Sequence, residues 1–582
     1  MAVDVQQIKE PVISCEQCGT CSSACPVTGV DGFNIRRIEH AVQLNMFDSV
    51  AKTGVQWVCT MCGRCEEVCP NGYLIMDTTR GLRRLTPPDL FPAAAPCVEA
   101  CPAHINIPQY LRLIADGKPE EAYAVIREKV PFPGVLGRVC AHPCETMCKR
   151  AAVNDPIQIC ALKRYAADNT ESSESYLGKV APDTGKKVAV IGAGPAGLTT
   201  AFYLRKKGHA VVVFEEKEKA GGMMRYGIPY SRLPEDVLDA EIADIASLGV
   251  EIKTSQKLGS DFSIDDLKAQ GFEAIFLAPG AQDSRKITLE GDDGADVLWG
   301  VEFLADVAAA RPVDVKKNVV VIGGGNVAVD VAMTALRCGA EKVTMASLES
   351  REEMPAFEWE IEEAVEEGVE LLPGWGPGKI VRDGAAIKQM ELVQCTSVFD
   401  DSGAFCPMFG SDKLTVDADQ VILAIGQSIN LDFAAGKTEP EVVAGMIKAD
   451  PDTQATSAAG LYAGGDAATK APGTPGTIIE AIAAGRRAAS AIDQALGGNG
   501  DIDEQLWTGT PPDAALYEGR REAGFATVPR VEYAKLPVEE RKGNFNEVGK
   551  CFAEEEAVAE ANRCLHCDLE LKLALNGFGP AA

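Results

Sequence analysis

Two stretches of the chain share one hydrophobic rhythm. Residues 186–216 read KKVAVIGAGPAGLTTAFYLRKKGHAVVVFEE: an apolar run, a glycine-punctuated turn, an apolar-periodic segment and a second apolar run. Short unbroken runs rich in Val and Ile predict buried strands, and the longer segment between them predicts a helix. From 316 the text KKNVVVIGGGNVAVDVAMTALRCGAEKVTMASLESREEMPA repeats the arrangement. IFLAPG (275–280) and VILAIG (421–426) read as further strands and mark two crossings between the repeated units. Nearer the N-terminus the pattern changes. Residues 26–58 are mostly amphipathic, as in NIRRIEHAVQLNMF, which leaves room for helices rather than one short turn. A proline-rich joint, LTPPDLFPAAAP, follows at 85–96. No uninterrupted apolar run reaches about 18 residues, so no membrane span is predicted. The opening MAVDVQQIKEPVIS lacks the basic and apolar regions of a signal peptide, so a soluble cytoplasmic protein is expected.

A chain of 582 residues suggests roughly three to five domains. Its net charge of −29 argues against nucleic acid and against an anionic membrane surface, both of which need clustered Lys and Arg. The charge would suit a partner with a basic docking face, although a solvated acidic surface is the plainer reading. Twenty cysteines in so large a chain without a signal peptide point to metal or cluster ligation rather than disulfides.

Those cysteines fall into sets. Cys15, Cys18, Cys21 and Cys25 precede Pro26; Cys59, Cys62, Cys65 and Cys69 precede Pro70. Both sets read C-x2-C-x2-C-x3-C-P, the spacing with which thiolates hold a [4Fe–4S] cube, the fourth Cys serving the other cluster in two-cluster ferredoxins. A zinc site is the competing reading. On CEQCGTCSSACP and WVCTMCGRCEEVCP, residues 1–80 resemble the helical two-cluster ferredoxin domain of the heterodisulfide reductase C subunit.

After the joint lie Cys97, Cys101, Cys140, Cys144, Cys148 and Cys160, in CVEACPAHINIPQYL, GRVCAHPCETMCKR and PIQICALKRY. This resembles the N-terminal cluster domain of the glutamate synthase small subunit, found also in dihydropyrimidine dehydrogenase and in the large subunit of NADH-dependent ferredoxin:NADP reductase. The Arg-Cys-x-x-Cys element that usually opens such a domain is missing here. It occurs instead at the far end, in EEEAVAEANRCLHCD, as Cys564 and Cys567, so the tail is expected to fold back and supply them. By that resemblance Cys97, Cys148, Cys564 and Cys567 would hold one cube. Cys101, Cys140, Cys144 and a fourth ligand would hold another. Relatives use Gln or Glu there; the matching position is about Lys163, whose ammonium cannot ligate, and Cys160 lies three residues earlier on the same helical face. The alternative is a buried structural Cys160 and a cluster with three protein ligands. Cys338, Cys395, Cys406 and Cys551 stand alone and are expected to be small buried hydrophobes.

In the first repeated unit, Gly192, Gly194 and Gly197 let the backbone turn tightly and approach a pyrophosphate, and Glu215 ends the second strand where an acid binds ribose hydroxyls. AGGMMRYGIPYSRLP, with Gly222 and Arg225, resembles the flavin-side GG-x-x-RYGIP segment of the glutamate synthase small-subunit family. LYAGGDAATKAPGTPGTIIEAIAAGRRAA completes the resemblance to an FAD domain: Gly465 and Asp466 match the ribityl-binding position, and Thr477 and Ile478 open a helix whose N-terminus would face the flavin pyrimidine ring. In the second unit Gly323, Gly325 and Asn326 begin the turn, with Val329 and Ala332 slim enough for close packing. NADPH users in these families often carry Tyr-Arg-Arg at the end of the second strand. Here Ser347-Leu348-Glu349 stands there, followed by Ser350 and Arg351. Glu349 would repel a 2′-phosphate and suit a free ribose, which favours NAD(H) over NADP(H); Arg351 is the residue that speaks for a phosphate.

The expected fold is multidomain α/β: helical ferredoxin-like iron–sulfur domains, then two Rossmann-like dinucleotide-binding domains, the NAD domain inserted in the FAD domain. The expected segments are 1–84 (two-cluster ferredoxin), 85–182 (second iron–sulfur domain), 183–300 and 428–500 (FAD), 301–427 (NAD(P)) and 501–582 (returning tail). The expected function moves electrons among NAD(H), FAD, about four [4Fe–4S] clusters and a protein partner, ferredoxin or a heterodisulfide-reductase-like subunit. No catalytic acid or base is expected. The resemblance implies a subunit of a larger anaerobic complex and extends to electron-bifurcating ones, though no residue points to bifurcation. A glutamate synthase small subunit and a non-catalytic relay scaffold are the alternatives.

Overall fold

The computed structural model describes residues 5–434, 440–471, 474, 476–512, 517 and 519–576. The chain forms two compact units. The first takes Met1–Tyr176, Asp503–Tyr533 and Cys551–Ala582; the second takes Leu177–Ile502 and Ala534–Lys550. The stretch 534–550 therefore parts from the rest of the expected tail segment.

The first unit is helical. The helix Ile35–Gln43 starts where the Asn34 side chain accepts from the Arg37 N–H, and it buries Ile35, Ile38 and Val42 along one stripe. That stripe packs with Ile8, Val12, Phe33, Phe47, Ile75 and Leu82 in one apolar cluster. Each such buried aliphatic side chain is worth about 1.5–3 kcal/mol. A Cβ on Gly81 would lie 2.6 Å from Ile8, so the helix Ile75–Arg84 meets Ile8 only because residue 81 has no side chain. Beyond the joint come the helices Ile107–Ala115, Pro119–Arg127, Pro133–Val139 and Ile159–Asp168. The second and third have Pro at their first position, where its missing N–H costs nothing. A Cβ on Gly137 would sit 2.6 Å from the Arg164 Cα, so the last two helices cross at backbone contact.

The tail returns to this unit. In the helix Cys567–Asn576, Glu570 accepts from Arg80 at 2.8 and 3.0 Å, and Asp568 accepts from Arg112 at 2.9 and 2.8 Å. One short helix is thus fastened to both cysteine-bearing parts of the chain. Arg563, just before it, is fully buried and donates to Glu560, Val528 O and Asp155 O.

The second unit holds two parallel five-stranded sheets. The first runs Leu461–Ala463, Ala274–Leu277, Lys187–Ile191, Ala210–Phe214, Glu251–Lys253. The second runs Val297–Trp299, Gln420–Leu423, Asn318–Ile322, Lys342–Ser347, Glu370–Pro373. Every strand of the second sheet falls, in sequence, between the fourth and last strands of the first, so one doubly wound fold is inserted in the other. A three-stranded antiparallel sheet, Trp375–Asp383, Ala386–Phe399 and Phe405–Asp417, completes the unit. The lone cysteines depart from expectation. Cys338, Cys395 and Cys551 are half-buried, and Cys406 is exposed because it stands on the edge strand Phe405–Asp417, whose residues are largely solvent-facing. Among the described residues no helix is long and apolar enough to cross a membrane.

Candidate cofactor sites

In the first unit the cysteine loops share one local geometry. The second residue after the leading cysteine takes a left-handed conformation although it is not glycine: Gln17, Met61, His142 and His566 have φ of 60°, 60°, 37° and 50°. This curls the loop, and the N–H groups of Met61, His142 and His566 donate to the sulfurs of Cys59, Cys140 and Cys564 at 3.4 Å. Such donors stabilise negative charge on sulfur.

The sets cross over. Cys15, Cys18 and Cys21 line one cavity with Cys69; Cys25 lines another with Cys59, Cys62 and Cys65. Cys18 is exposed, whereas Cys59, Cys62 and Cys65 are buried. Glu39 reaches the first cavity, and neither oxygen of its buried carboxyl has a hydrogen-bond partner among the described residues. Cys97 is half-buried beside Cys564, Cys567 and Cys148: loss of solvent pushes its thiol far up, and those three sulfurs push it further. Burial also pushes Cys564 up to about 12 and Cys567 to about 11. Cys140 and Cys144 lie with Cys101 around Lys163. Burial works to lower the Lys163 ammonium, but the sulfurs of Cys140, Cys160, Cys144 and Cys101 raise it above its ordinary range. Cys160 sits at the helix crossing, its thiol donating to Leu136 O at 3.2 Å and Gly137 O at 3.5 Å. Lys163 is therefore the counter-charge of the set. Buried thiols that resist ionisation alone are suited to a metal whose positive charge replaces the proton. Among the described residues no three ligands converge as a single ion requires; a cube asks instead for four thiolates on four corners.

In the second unit the first glycine turn is shaped for a dinucleotide. A Cβ on Gly192, at φ 98°, would strike Ala278 O at 2.2 Å, and one on Gly197 would strike Gly192 O at 1.9 Å. A Cβ on Gly194 would meet nothing closer than 3.9 Å, so that residue opens the turn outward at the start of the helix Pro195–Lys206. Glu215 is buried and accepts from the Ala193 and Lys217 N–H groups at 2.7 and 2.9 Å. With Gly192 and Gly280 it lines an open pocket. The space and the free helix N-terminus fit a dinucleotide.

Gly222 abuts Gly194, a Cβ there lying 2.7 Å from its Cα. Arg225 is placed otherwise. Its guanidinium donates to Ala220 O, Glu235 and Asp239, bracing the loop that carries Gly222. Gly465 packs against Ala196, and Asp466 accepts from Lys470 at 2.6 Å. Thr477 caps the helix Ile478–Ala495 by accepting from the Glu480 N–H.

The second turn repeats the first: a Cβ on Gly323 would strike Ala424 O at 2.2 Å, while Gly325 faces open space apart from Pro355 at 4.0 Å. The Glu349 carboxylate closes over Gly324, 2.5 Å from where its Cβ would stand. Arg351 forms a two-point pair with Glu358. Asn326 donates to Glu360, which also accepts from Arg232. Arg232 in turn holds Asp330 at 2.7 and 2.8 Å. The sequence does not show this network, since Arg232 and Glu360 stand far from the turn without motif spacing.

The sequence matches the pyridine nucleotide-disulphide oxidoreductase family over residues 186–485. It matches dihydropyrimidine dehydrogenase domain II, a 4Fe-4S cluster domain, over 90–175, and the 4Fe-4S dicluster domain over 11–73. It is 38% identical over 515 residues to the NADP(+)-dependent formate dehydrogenase subunit beta of Moorella thermoacetica, covering 83% of this chain and 72% of that one. It is 36% identical over 513 residues to the NADPH-Fe(3+) oxidoreductase subunit beta of Geobacter sulfurreducens, covering 81% and 75%. It is 33% identical over 408 residues to the NAD-dependent dihydropyrimidine dehydrogenase subunit PreT of Escherichia coli K12, covering 69% and 92%.

Proposed function

We propose that this chain, which belongs to the pyridine nucleotide-disulphide oxidoreductase family, connects NAD(H) to a redox protein partner through FAD and four [4Fe–4S] clusters. It is an NAD(P)H-linked FAD and [4Fe–4S] oxidoreductase subunit. The observation that carries the fuller reading is the grouping of cysteines from separate loops into shared sets within a chain that also keeps two intact glycine turns. Bound FAD would supply exchange between two-electron hydride chemistry and single electrons, and [4Fe–4S] clusters would supply one-electron transfer.

The protein's own part is to hold and polarise. The N–H groups opening the helix Pro195–Lys206 receive the FAD pyrophosphate, Glu215 its ribose, and Asp466 its ribityl chain. Thr477 fixes the start of a helix whose positive end would face the flavin. Cys15, Cys18, Cys21 and Cys69 form one ligand set; Cys25, Cys59, Cys62 and Cys65 a second; Cys97, Cys148, Cys564 and Cys567 a third; Cys101, Cys140, Cys144 and Cys160 a fourth. The partner belongs to the same complex, as formate dehydrogenase and Fe(3+) oxidoreductase beta subunits do by their names.

Loss of Gly197 should be decisive for the flavin. In Gly197→Ala the added methyl has no space beside Gly192 O, so the purified variant is expected to lack the visible flavin band. Retention of full flavin would contradict this placement.

For the nicotinamide nucleotide, Glu349 over Gly324 and the engagement of Arg351 by Glu358 support NAD(H). Two of the relatives are named for NADP(H) and one for NAD, so the choice rests on these side chains. A carboxylate beside a 2′-phosphate costs on the order of several kcal/mol. Stopped-flow mixing should show flavin bleaching by NADH roughly tenfold or more faster than by NADPH, with the gap narrowed in Glu349→Ala. Equal rates would dismiss the NAD(H) preference, and no bleaching by either nucleotide would dismiss the enzyme.

A further inference from the structure

The residues 519–528 match no family segment named above, yet they run between two cysteine loops of the first unit. Arg521 lies at the centre. Its Nε donates to Met61 O at 3.1 Å, inside the Cys59–Cys62 loop, and its Nη2 donates to Leu565 O at 2.9 Å, inside the Cys564–Cys567 loop. One guanidinium thus ties together loops of two different ligand sets. The fit is close on both sides. A Cβ on Gly63 would lie 2.8 Å from the Arg521 Cβ, so that glycine lets the segment press against the first loop. Cys62 packs with Leu565 and Ala526 in one apolar cluster that Cys567 and Phe525 border. The Phe525 ring is flanked by two cations, Arg150 at 4.6 Å and Arg521 at 4.7 Å from its centroid.

We propose that Arg521 is the positioning residue that sets the electronic contact between the Cys25/Cys59/Cys62/Cys65 set and the Cys97/Cys148/Cys564/Cys567 set. This rests on the ligand sets proposed above. The exchange is of one electron: the donating set is oxidised by one, the accepting set reduced by one, and no proton or bond moves. Its donors, planar and forked, reach both carbonyls at once, which Lys cannot do.

The test uses full-length protein purified anaerobically. Wild type, Arg521→Met and Arg521→Lys are mixed with NADH and freeze-quenched, and the cluster signals are read by EPR. Assignment comes from comparison with a Cys564→Ser/Cys567→Ser protein. Arg521→Met is expected to keep its iron and its rate of flavin reduction while the N-terminal clusters fill several-fold more slowly, since electron tunnelling weakens steeply as the distance between two centres grows. The magnetic interaction between the two fully reduced sets should weaken in parallel. Arg521→Lys, which keeps the charge, should recover only part. Full iron with wild-type filling and interaction would overturn the proposal. Should Arg521→Met lose iron, Arg521→Gln, which keeps an amide NH2 donor but no charge, takes its place with the same two outcomes. If wild type itself carries no cluster on the tail cysteines, the ligand assignment has failed; its iron content shows this before any variant is made.

Discussion

Replacing Cys564 and Cys567 together by Ser is expected to lower iron from about sixteen to about twelve per chain, with matching loss of sulfide. Cys97 lies among Cys148 and these two residues, so the tail brings two of the four thiols that meet there. Ser is nearly the same size, and the helix that follows stays fastened by Arg80–Glu570 and Arg112–Asp568. The fold should persist while a ligand pair is lost. EPR of the reduced variant should retain the signals of the N-terminal pair, whose cysteines lie in separate cavities. A variant that keeps about sixteen irons, or a wild type near eight, would sink the tail-ligand assignment.

Arg232→Leu is expected to destabilise the second unit by about 3–5 kcal/mol, because it leaves Asp330 and Glu360 buried without their cation. Arg232 reaches both, while the acids are only 7% and 5% exposed. Urea denaturation followed by flavin fluorescence measures the loss. Asp330→Asn on the Arg232→Leu background should restore part of it, since one stranded charge is then gone. The loss should also depend on pH. Burial pushes Glu360 up to about 7 from an ordinary 4.5. A carboxyl whose folded pKa lies above its unfolded one keeps a proton that the unfolded chain releases. Its contribution to stability therefore falls as pH rises from about 4.5 through about 7. Without Arg232 both acids rise further, so the gap between variant and wild type should widen toward about pH 8 and narrow toward about pH 5. A gap independent of pH, or below about 1 kcal/mol, would show that the network carries little.

What could be read in the sequence was chemistry that dictates spacing. A cube fixes the intervals between Cys15, Cys18 and Cys21, and a pyrophosphate turn fixes Gly192, Gly194 and Gly197, so both are legible as text. The flavin and nicotinamide core behind ferredoxin domains follows from them. The left-handed Gln17, Met61, His142 and His566 were not legible, because a cysteine loop imposes that conformation on whatever residue stands there. Arg232 with Asp330 and Arg521 with Met61 and Leu565 were equally silent, since folding alone makes them neighbours. Arg225 carried the right motif, yet its guanidinium braces its own loop. The lone cysteines misled for a simpler reason: small apolar character says nothing about whether a strand lies at an edge, and Cys406 lies on one.

The returning tail also has a consequence in time. A ribosome reaches Cys564 only after both nucleotide-binding folds have been translated. At roughly 5–20 residues per second, Cys97 and Cys148 wait for tens of seconds as half of a set. A chain that stalls or is clipped in that interval exposes two open thiols instead of a finished site. On the proposed ligand set, metallation there would wait for this last segment to arrive.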